Sequence, residues 1–182
     1  MDRLLVERVA GVATRSVHGT FHRHAAPNRD AFAGGTGGRW GRDFAVIYMG
    51  RPPDSVVVEA YRHLVEETGV PPEHVRPRVF YTVRVDVQRV LDLTVAEHRD
   101  AVGLGVADLQ TEVDDYAACQ AVAGVAHHLG VHGILAPSAS GLGQTLAIFR
   151  SLVTAAELPV VTSQELWTGL PADPRRDHTV RE

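Results

Sequence analysis

Residues 78–87 read RVFYTVRVDV, and they alternate between two kinds of position along the chain. Tyr81, Val83 and Val85 fall on one face of an extended segment, whereas mostly charged and polar side chains fall on the other. A period of two with β-branched and aromatic residues is typical of a strand with one buried face. This stretch is therefore the clearest strand of the chain, and the other elements are assigned outward from it.

Further strands and helices are predicted on both sides of this strand. Short apolar runs predict strands at residues 19–25, 44–49, 91–94 and 131–138. Apolar spacing and capping residues predict helices at 3–12, 54–68, 95–102 and from Asp114 or Asp115 to Gly130. Residues 144–149, QTLAIF, satisfy both periods, and a strand is favoured over the start of a helix. With 182 residues, 45% of them apolar, one compact α/β domain is expected.

The charged residues limit the kinds of partner. All eighteen positive side chains are arginines, so no lysine is present to act as a nucleophile or to complete a Walker-type phosphate loop. The net charge is -4 and no long run of like charge occurs, which argues against a nucleic-acid surface or an anionic membrane surface. Small ligands and protein partners remain.

The number of cysteines and the first residues of the chain indicate in which cellular compartment the protein is expected. Cys119 is the single cysteine, so an intramolecular disulfide is impossible and a reducing compartment is the natural setting. The first residues, MDRLLVERVAGVATRSV, contain early acidic residues and no uninterrupted apolar core. They predict neither a secretory signal nor a spanning helix, and we expect a cytoplasmic protein.

Two features point to a ligand site. The loop GGTGGRWGR at 34–42 is rich in glycine, which loses more backbone freedom on folding than any other residue. Close approach of the backbone to a ligand is the usual compensation for that cost. In the helix predicted at 54–68, Glu59 lies opposite the apolar arc that contains Val57 and Val58, so it faces either solvent or a cleft.

Three more familiar kinds of site are poorly supported by the sequence. The loop SGLGQTL has Leu146 in place of the third glycine of a dinucleotide fingerprint. Ser138 and Ser140 lack the strand-turn-helix context of a hydrolase nucleophile. His128 and His132 have the spacing of helical metal ligands, but the glycine between them is predicted to end the helix, so no metal site is expected.

Five polar residues on separate elements remain as candidates: Arg23, Arg39, Tyr48, Glu59 and Ser138. By spacing alone each has an ordinary structural explanation. The surrounding motifs, however, run FHRHA, GGRW, VIYMG, VVVEAYRHL, CQAVAGVA and HGILAPSASG. In this order they resemble the RES domain family, which is named for its Arg, Glu and Ser, over about residues 19 to 150.

The resemblance implies a compact α/β fold with small mixed β-sheets and flanking helices, related to the ADP-ribosyltransferase toxins. It implies a cleft that holds NAD as substrate, with no tightly bound cofactor, and cleavage of the nicotinamide-ribose bond. Water, inorganic phosphate or a protein side chain would be the acceptor. It also implies a hetero-oligomer with an Xre-type helix-turn-helix antitoxin. The catalytic domain is expected at 19–169, after an N-terminal extension or short helix at 1–18. Residues 170–182 are expected to form a polar, poorly ordered tail.

The same resemblance assigns roles to residues. Guanidinium groups bind pyrophosphate oxygens in two-pronged fashion, which suits Arg23 and Arg39. A carboxylate beneath the ribose stabilises the positive charge that develops there, which suits Glu59. Trp40 is expected to anchor the glycine loop in the core. The implied catalytic residues are Arg39, Tyr48 and Glu59, and the implied NAD contacts are Arg23, His24, Gly37, Gly38, Arg39, Tyr48, Ser138 and Gln144.

Two positions depart from the family pattern. Gly41 stands where the family commonly has asparagine after GGRW, and Gln144 stands where an asparagine is frequent. These departures keep two alternatives open beside an NAD-degrading toxin. One is transfer of ADP-ribose to a cellular protein, and the other is a catalytically inactive module that binds NAD or an antitoxin.

Overall fold

The computed structural model describes residues 2–110 and 115–176. Five α-helices are described: Arg3–Ala10 (α1), Pro53–Tyr61 (α2), Ala96–Val102 (α3), Val106–Gln110 (α4) and Ala117–His128 (α5). The strands described are Thr14–Ala25 (β1), Val46–Arg51 (β2), Arg78–Asp92 (β3), Gly133–Pro137 (β4), Gln144–Phe149 (β5) and Val160–Trp167 (β6). The mixed α/β domain is confirmed, as is the strand at 144–149; Asp114, one proposed start of the last helix, lies outside the described residues.

Strand β3 organises the sheet because it pairs with three other strands. It runs antiparallel to β1 over most of its length, antiparallel to β6 near its start, and parallel to β4 over Val90–Asp92. Strand β5 lies between β4 and β2, and β2 meets β1 where Gly50 pairs with His22. Five strands therefore form a closed ring with β6 attached to β3. The expected mixed β-structure is thus one sheet of six strands.

The interior of the ring is a layer of apolar side chains from all five of its strands. The alternation along each strand decides which residues enter it. In β5, for example, Leu146 and Ile148 point inside, whereas Ala147 and Phe149 pack against the helices outside. The fully buried members of the interior are Val17, Phe21, Ile47, Met49, Val83, Val85, Val87, Val90, Leu135, Leu146 and Ile148.

A bulge explains why the sequence predicted β3 too short. Alternation holds through Val87, but the next buried residue is Val90, three positions on. Within this interval Arg89 has a positive φ of 52°, and the pairing register with β1 shifts by one residue. A bulge inserts one extra residue and reverses which side chains face inward. The first half of the segment predicted as a separate strand at 91–94, Leu91 and Asp92, is therefore the continuation of β3.

Helices cover the ring on two sides. Helices α1, α3, α4 and α5 pack on the outside of β4 and β5 and form one core with the buried Trp40, which confirms that this residue anchors the glycine loop. Helix α2 packs against the start of β3 and the end of β6 through Tyr61 and Trp167. Within 2–110 and 115–176, no helix has the length and apolar character needed to cross a bilayer.

The segment after β6 is better ordered than its polarity suggested. Tyr61 on α2 donates a hydrogen bond to the backbone oxygen of Pro171, with a length of 2.8 Å. Asp173 is buried and pairs with Arg175, which also contacts Glu66. Asp173 is buried because the exposed Arg175 neutralises its charge, so residues 170–176 pack on the domain. The rest of the predicted tail, 177–182, lies outside the described residues.

We predict that Gly133→Ala destabilises the protein and that Gly124→Ala does not. A Cβ atom at Gly133 would lie 2.5 Å from the carbonyl oxygen of Ala147, whereas a Cβ at Gly124 on α5 meets no atom within 4 Å. The first change should lower the free energy of unfolding by about 1–3 kcal/mol, as overpacking does. The second should leave it equal or raise it by up to about 1 kcal/mol, because alanine favours helix. Urea unfolding of both variants measures this, and equal midpoints would contradict the close approach of β4 and β5.

Candidate active site

The predicted site residues come together around one cavity of about 440 Å³. The cavity lies between α2, β1, β2 and the glycine loop. Seven of the predicted residues line it: Arg23, His24, Gly37, Gly38, Arg39, Tyr48 and Glu59. Further lining residues that the sequence did not single out include His22, Arg62, His63 and Tyr116.

Glu59 projects from α2 into this cavity and is held by three neighbours. Its Oε1 atom accepts a hydrogen bond from Ser138 Oγ and lies 3.2 Å from Arg62 Nη1. Its Oε2 atom lies 3.4 Å from His63 Nε2. The helix continues beyond Tyr61 as a π-helical turn, so Arg62 and His63 follow Glu59 by three and four residues and reach its carboxylate.

These neighbours keep the carboxylate ionised. Burial alone raises the pKa of Glu59, but the hydrogen bond from His63, the charge of Arg62 and the hydrogen bond from Ser138 together lower it below its ordinary value. The pKa of His63 is raised in turn, chiefly by its hydrogen bond to Glu59. The cavity therefore contains a fixed negative charge at neutral pH.

Arg39 is 9% exposed and also lines the cavity. Its Nη1 atom donates a 2.8 Å hydrogen bond to the backbone oxygen of Asp108. Its guanidinium carbon lies 4.4 Å from the ring centroid of Tyr116, a cation–π contact. The arginine is thus oriented by residues from the segment around α4 and α5, far from it in sequence.

The glycine loop packs directly on Tyr48. The backbone N–H of Trp40 donates to the hydroxyl oxygen of Tyr48 at 2.9 Å, and burial raises the pKa of that hydroxyl. A Cβ at Gly38 would lie 2.7 Å from the same oxygen, so glycine is needed for this contact. A Cβ at Gly41 would lie 2.3 Å from Val46 Cγ2. The departure at Gly41 is therefore a packing requirement of this loop, which has no space for asparagine.

Arg23 and His24 occupy the β1 wall of the cavity. Arg23 Nη1 donates to the backbone oxygen of Tyr48 at 3.3 Å. The Nδ1 atom of His24 accepts a hydrogen bond from Arg78 Nε at 3.1 Å, and its ring stacks on Trp167. Burial, followed by the charges of Arg78 and Arg23, lowers the pKa of His24 to about 3. His24 is therefore a neutral imidazole at physiological pH.

Ser138 and Gln144 are the two predicted site residues that do not line the cavity. Ser138 is only 1% exposed and its hydroxyl contacts Glu59 and Ser140, so in this structure it orients the carboxylate, and its contact with NAD stays a prediction. Gln144 lies outside the cavity lining, and its amide oxygen accepts two hydrogen bonds from Arg51, of 2.9 and 2.7 Å. We therefore assign Gln144 to support of the β2–β5 pair. The sequence had placed Ser138 in the loop before β5 and Gln144 at the start of that strand, but the direction of a side chain depends on neighbours from other strands.

Arg62, His63 and Tyr116 were missed as site residues for different reasons. A signal for the first two was present, since side chains three and four residues after Glu59 share its helix face. No local signal marks Tyr116, because it reaches Arg39 only through the packing of the segment before α5. Across the described residues, no group of three or more His, Cys, Asp or Glu side chains is arranged to hold a metal ion.

Comparison with known proteins identifies the family of the chain. The model of the RES domain matches residues 6–168. The chain belongs to the RES domain family. Its relatives include proteins named NAD(+) phosphorylase MbcT from Mycobacterium bovis and Mycobacterium tuberculosis, each 30% identical over 178 residues that cover 93% of this chain and 94% of the relative. Among solved structures, the M. tuberculosis MbcT-MbcA toxin-antitoxin complex matches with a TM-score of 0.80 and 28% identity, covering 92% of this chain and 93% of the matched one.

Proposed function

We propose that this RES domain protein is a toxin that degrades NAD by breaking the bond between nicotinamide and ribose, with inorganic phosphate as the acceptor. The observation that carries the proposal is the convergence of Arg23, Arg39 and Glu59 on one cavity of about 440 Å³. The relatives named NAD(+) phosphorylase support it, because they share 30% identity with nearly the whole chain.

Charge complementarity gives the orientation of the substrate. The two arginines bind the pyrophosphate of NAD, whose two negative charges they match. Glu59 lies beneath the ribose that carries nicotinamide. As the C–N bond breaks, nicotinamide leaves with the electron pair as a neutral ring, and positive charge develops on the ribose. A carboxylate that stays ionised stabilises this transition state more than the ground state.

The ionisation state of Glu59 influences which nucleophile can accept the ADP-ribosyl group. Both carboxylate oxygens have protein partners and the pKa is below its ordinary value, so this group is a weak base at neutral pH. A water molecule needs a base to become a strong nucleophile, whereas inorganic phosphate is already an anion. One phosphate oxygen would bond to the anomeric carbon without a proton transfer to the enzyme. This difference favours phosphate over water.

Other roles follow from the contacts. The Tyr48 hydroxyl remains protonated because burial raises its pKa, so we propose that Tyr48 acts through its ring by stacking on nicotinamide. Ser138 positions Glu59. We retain 19–169 as the proposed catalytic domain, although α1 packs on α5 and β1 begins at Thr14.

We also propose a protein partner. The chain is similar to the structure of a toxin-antitoxin complex, and a toxin that consumes NAD requires control in the cell that makes it. An antitoxin that covers the cavity would supply it, and the family resemblance favours an Xre-type helix-turn-helix protein in a hetero-oligomer. A cytoplasmic location gives access to NAD and fits the single buried cysteine, Cys119.

Incubation of the purified protein with NAD should release nicotinamide, and the rate should rise with the concentration of inorganic phosphate. Chromatography with mass spectrometry should identify a phosphorylated ADP-ribose as the second product. Free ADP-ribose formed equally with and without phosphate would contradict the proposed acceptor. Label transferred from NAD to protein would indicate ADP-ribosylation, and unchanged NAD would contradict the whole proposal.

Glu59→Gln and Arg39→Gln should each lower the rate of NAD consumption by about a hundredfold or more, because each removes one charge from the cavity. Matched controls lie close by in the chain. Glu66→Gln removes an exposed carboxylate from the π-helical turn after α2, and Arg42→Gln removes an exposed guanidinium from the same loop as Arg39. Initial rates within about twofold of each other for test and control variants would contradict the assignment.

His63→Gln should move the acid limb of the pH–rate profile to higher pH. Activity requires ionised Glu59, so it is present above the pKa of that group and is lost as the pH falls through it. His63 lowers the pKa of Glu59 in the wild type, so removing this group raises that pKa even though Arg62 and Ser138 still lower it. The exposed His74→Gln serves as control, and superimposable profiles for all three proteins would contradict the pairing of His63 with Glu59.

A further inference from the structure

A second cavity of about 490 Å³ adjoins the first on the other side of the glycine loop. The two share Arg23, His24 and Tyr48 in their walls. The remaining wall is formed by the loop after β1, the glycines at 34 and 35, and the first residue of β3. None of the roles proposed above uses this second cavity, although residues with proposed roles line part of its wall.

Its charge is unbalanced. Three guanidinium groups line it, those of Arg23, Arg29 and Arg78, against the single carboxylate of Asp30. That carboxylate accepts a hydrogen bond from the backbone N–H of Phe32, and no carboxylate of the described residues lies within ion-pair distance of any of the three arginines. Like charges gathered without a counterion are costly unless a ligand supplies the opposite charge.

The hydrogen bonds of individual arginine atoms also favour a bound anion. Arg23 Nε is buried and has no hydrogen-bond partner in the described part of the chain. Such an orphaned donor is rare in folded proteins and calls for an acceptor from elsewhere. Arg78 uses its Nε to bond His24, which fixes the guanidinium beside the wall shared by both cavities. Two arginines on adjacent antiparallel strands are thereby held rigidly, and Arg29 joins them from the loop.

The electrostatic effects of these groups on one another support this picture. Burial, followed by the charge of Arg78, lowers the pKa of Arg23, while Asp30 opposes the effect. Burial, followed by the charge of Arg29, lowers the pKa of Arg78. The charge of one arginine therefore disfavours the charged form of its neighbour, and an anion bound among them would relieve this repulsion.

We propose that the second cavity is a subsite for a phosphate group bound by Arg23, Arg29 and Arg78. A guanidinium binds two phosphate oxygens at once, and the glycines at 34 and 35 leave the backbone open to a compact anion. The subsite rests on the function proposed above and extends it. It takes either the inorganic phosphate that attacks the ribose or a phosphate of NAD itself, and both sources present the same chemistry.

Arg29→Gln, Arg78→Gln and the double variant test the subsite, with Arg84→Gln as control. Arg84 lies on the same strand as Arg78 but is exposed and does not line either cavity. Initial rates are measured with phosphate varied at saturating NAD and with NAD varied at saturating phosphate. Arg29→Gln is informative by itself, because the Arg29 side chain is exposed, and within the described residues Arg29 bonds only through its backbone N–H, to the backbone oxygen of Ala26.

We expect the KM for phosphate to rise by about tenfold or more in the double variant, with the Arg84→Gln control unchanged. A rise confined to the KM for NAD would identify the bound group as a phosphate of NAD, and this outcome also supports the subsite. Both KM values within about twofold of wild type in Arg29→Gln and in the double variant would overturn it.

A binding measurement separates this proposal from the function on which it rests. Titration of full-length Glu59→Gln protein with inorganic phosphate, followed by ³¹P NMR or calorimetry, does not require turnover. If the wild-type protein consumes no NAD, the proposed function fails, and loss of phosphate binding in the arginine variants still supports an anion subsite. Equal phosphate binding by test and control variants in this titration, together with unchanged KM values, would leave the function standing and remove the subsite.

Discussion

The pairing of β3 with three strands is the constraint on which the rest of the structure depends. Because β3 holds β1, β4 and β6 at once, the sheet closes and its interior fills with the alternate side chains of five strands. Closure brings the ends of β1 and β2 beside α2, although these elements are separated in the chain. The cavity lies at this junction, so the strand pairing that stabilises the ring also determines the geometry of the site.

The chemistry of the site depends on a carboxylate that remains charged in a partly buried place. Burial by itself would favour the neutral acid, and the three partners of Glu59 reverse that preference. A carboxylate of this kind is suited to stabilise positive charge on a sugar ring and is poorly suited to remove a proton. This is the reason for our proposal that the acceptor arrives as an anion, and that the arginine-lined cavity beside the carboxylate binds a phosphate group.

Sequence patterns predicted those features that depend on short-range order. The strict alternation at 78–87 located β3, and helical spacing placed Glu59 opposite the apolar face of α2. They did not predict the bulge at Arg89, which requires pairing with β1, or the contact of Tyr116 with Arg39, which requires the packing of distant segments. The family resemblance predicted that the arginines and Glu59 share one site. The hydrogen-bond partners of Ser138 and Gln144 could be identified only from the three-dimensional packing.

A crystal structure of the Glu59→Gln variant with NAD bound would test most directly whether one cavity binds one dinucleotide through these residues. We predict that the nicotinamide ribose lies beside residue 59 and that the pyrophosphate oxygens lie within hydrogen-bond distance of Arg23 or Arg39. NAD bound at another surface, or bound here with its pyrophosphate away from both arginines, would contradict the central claim.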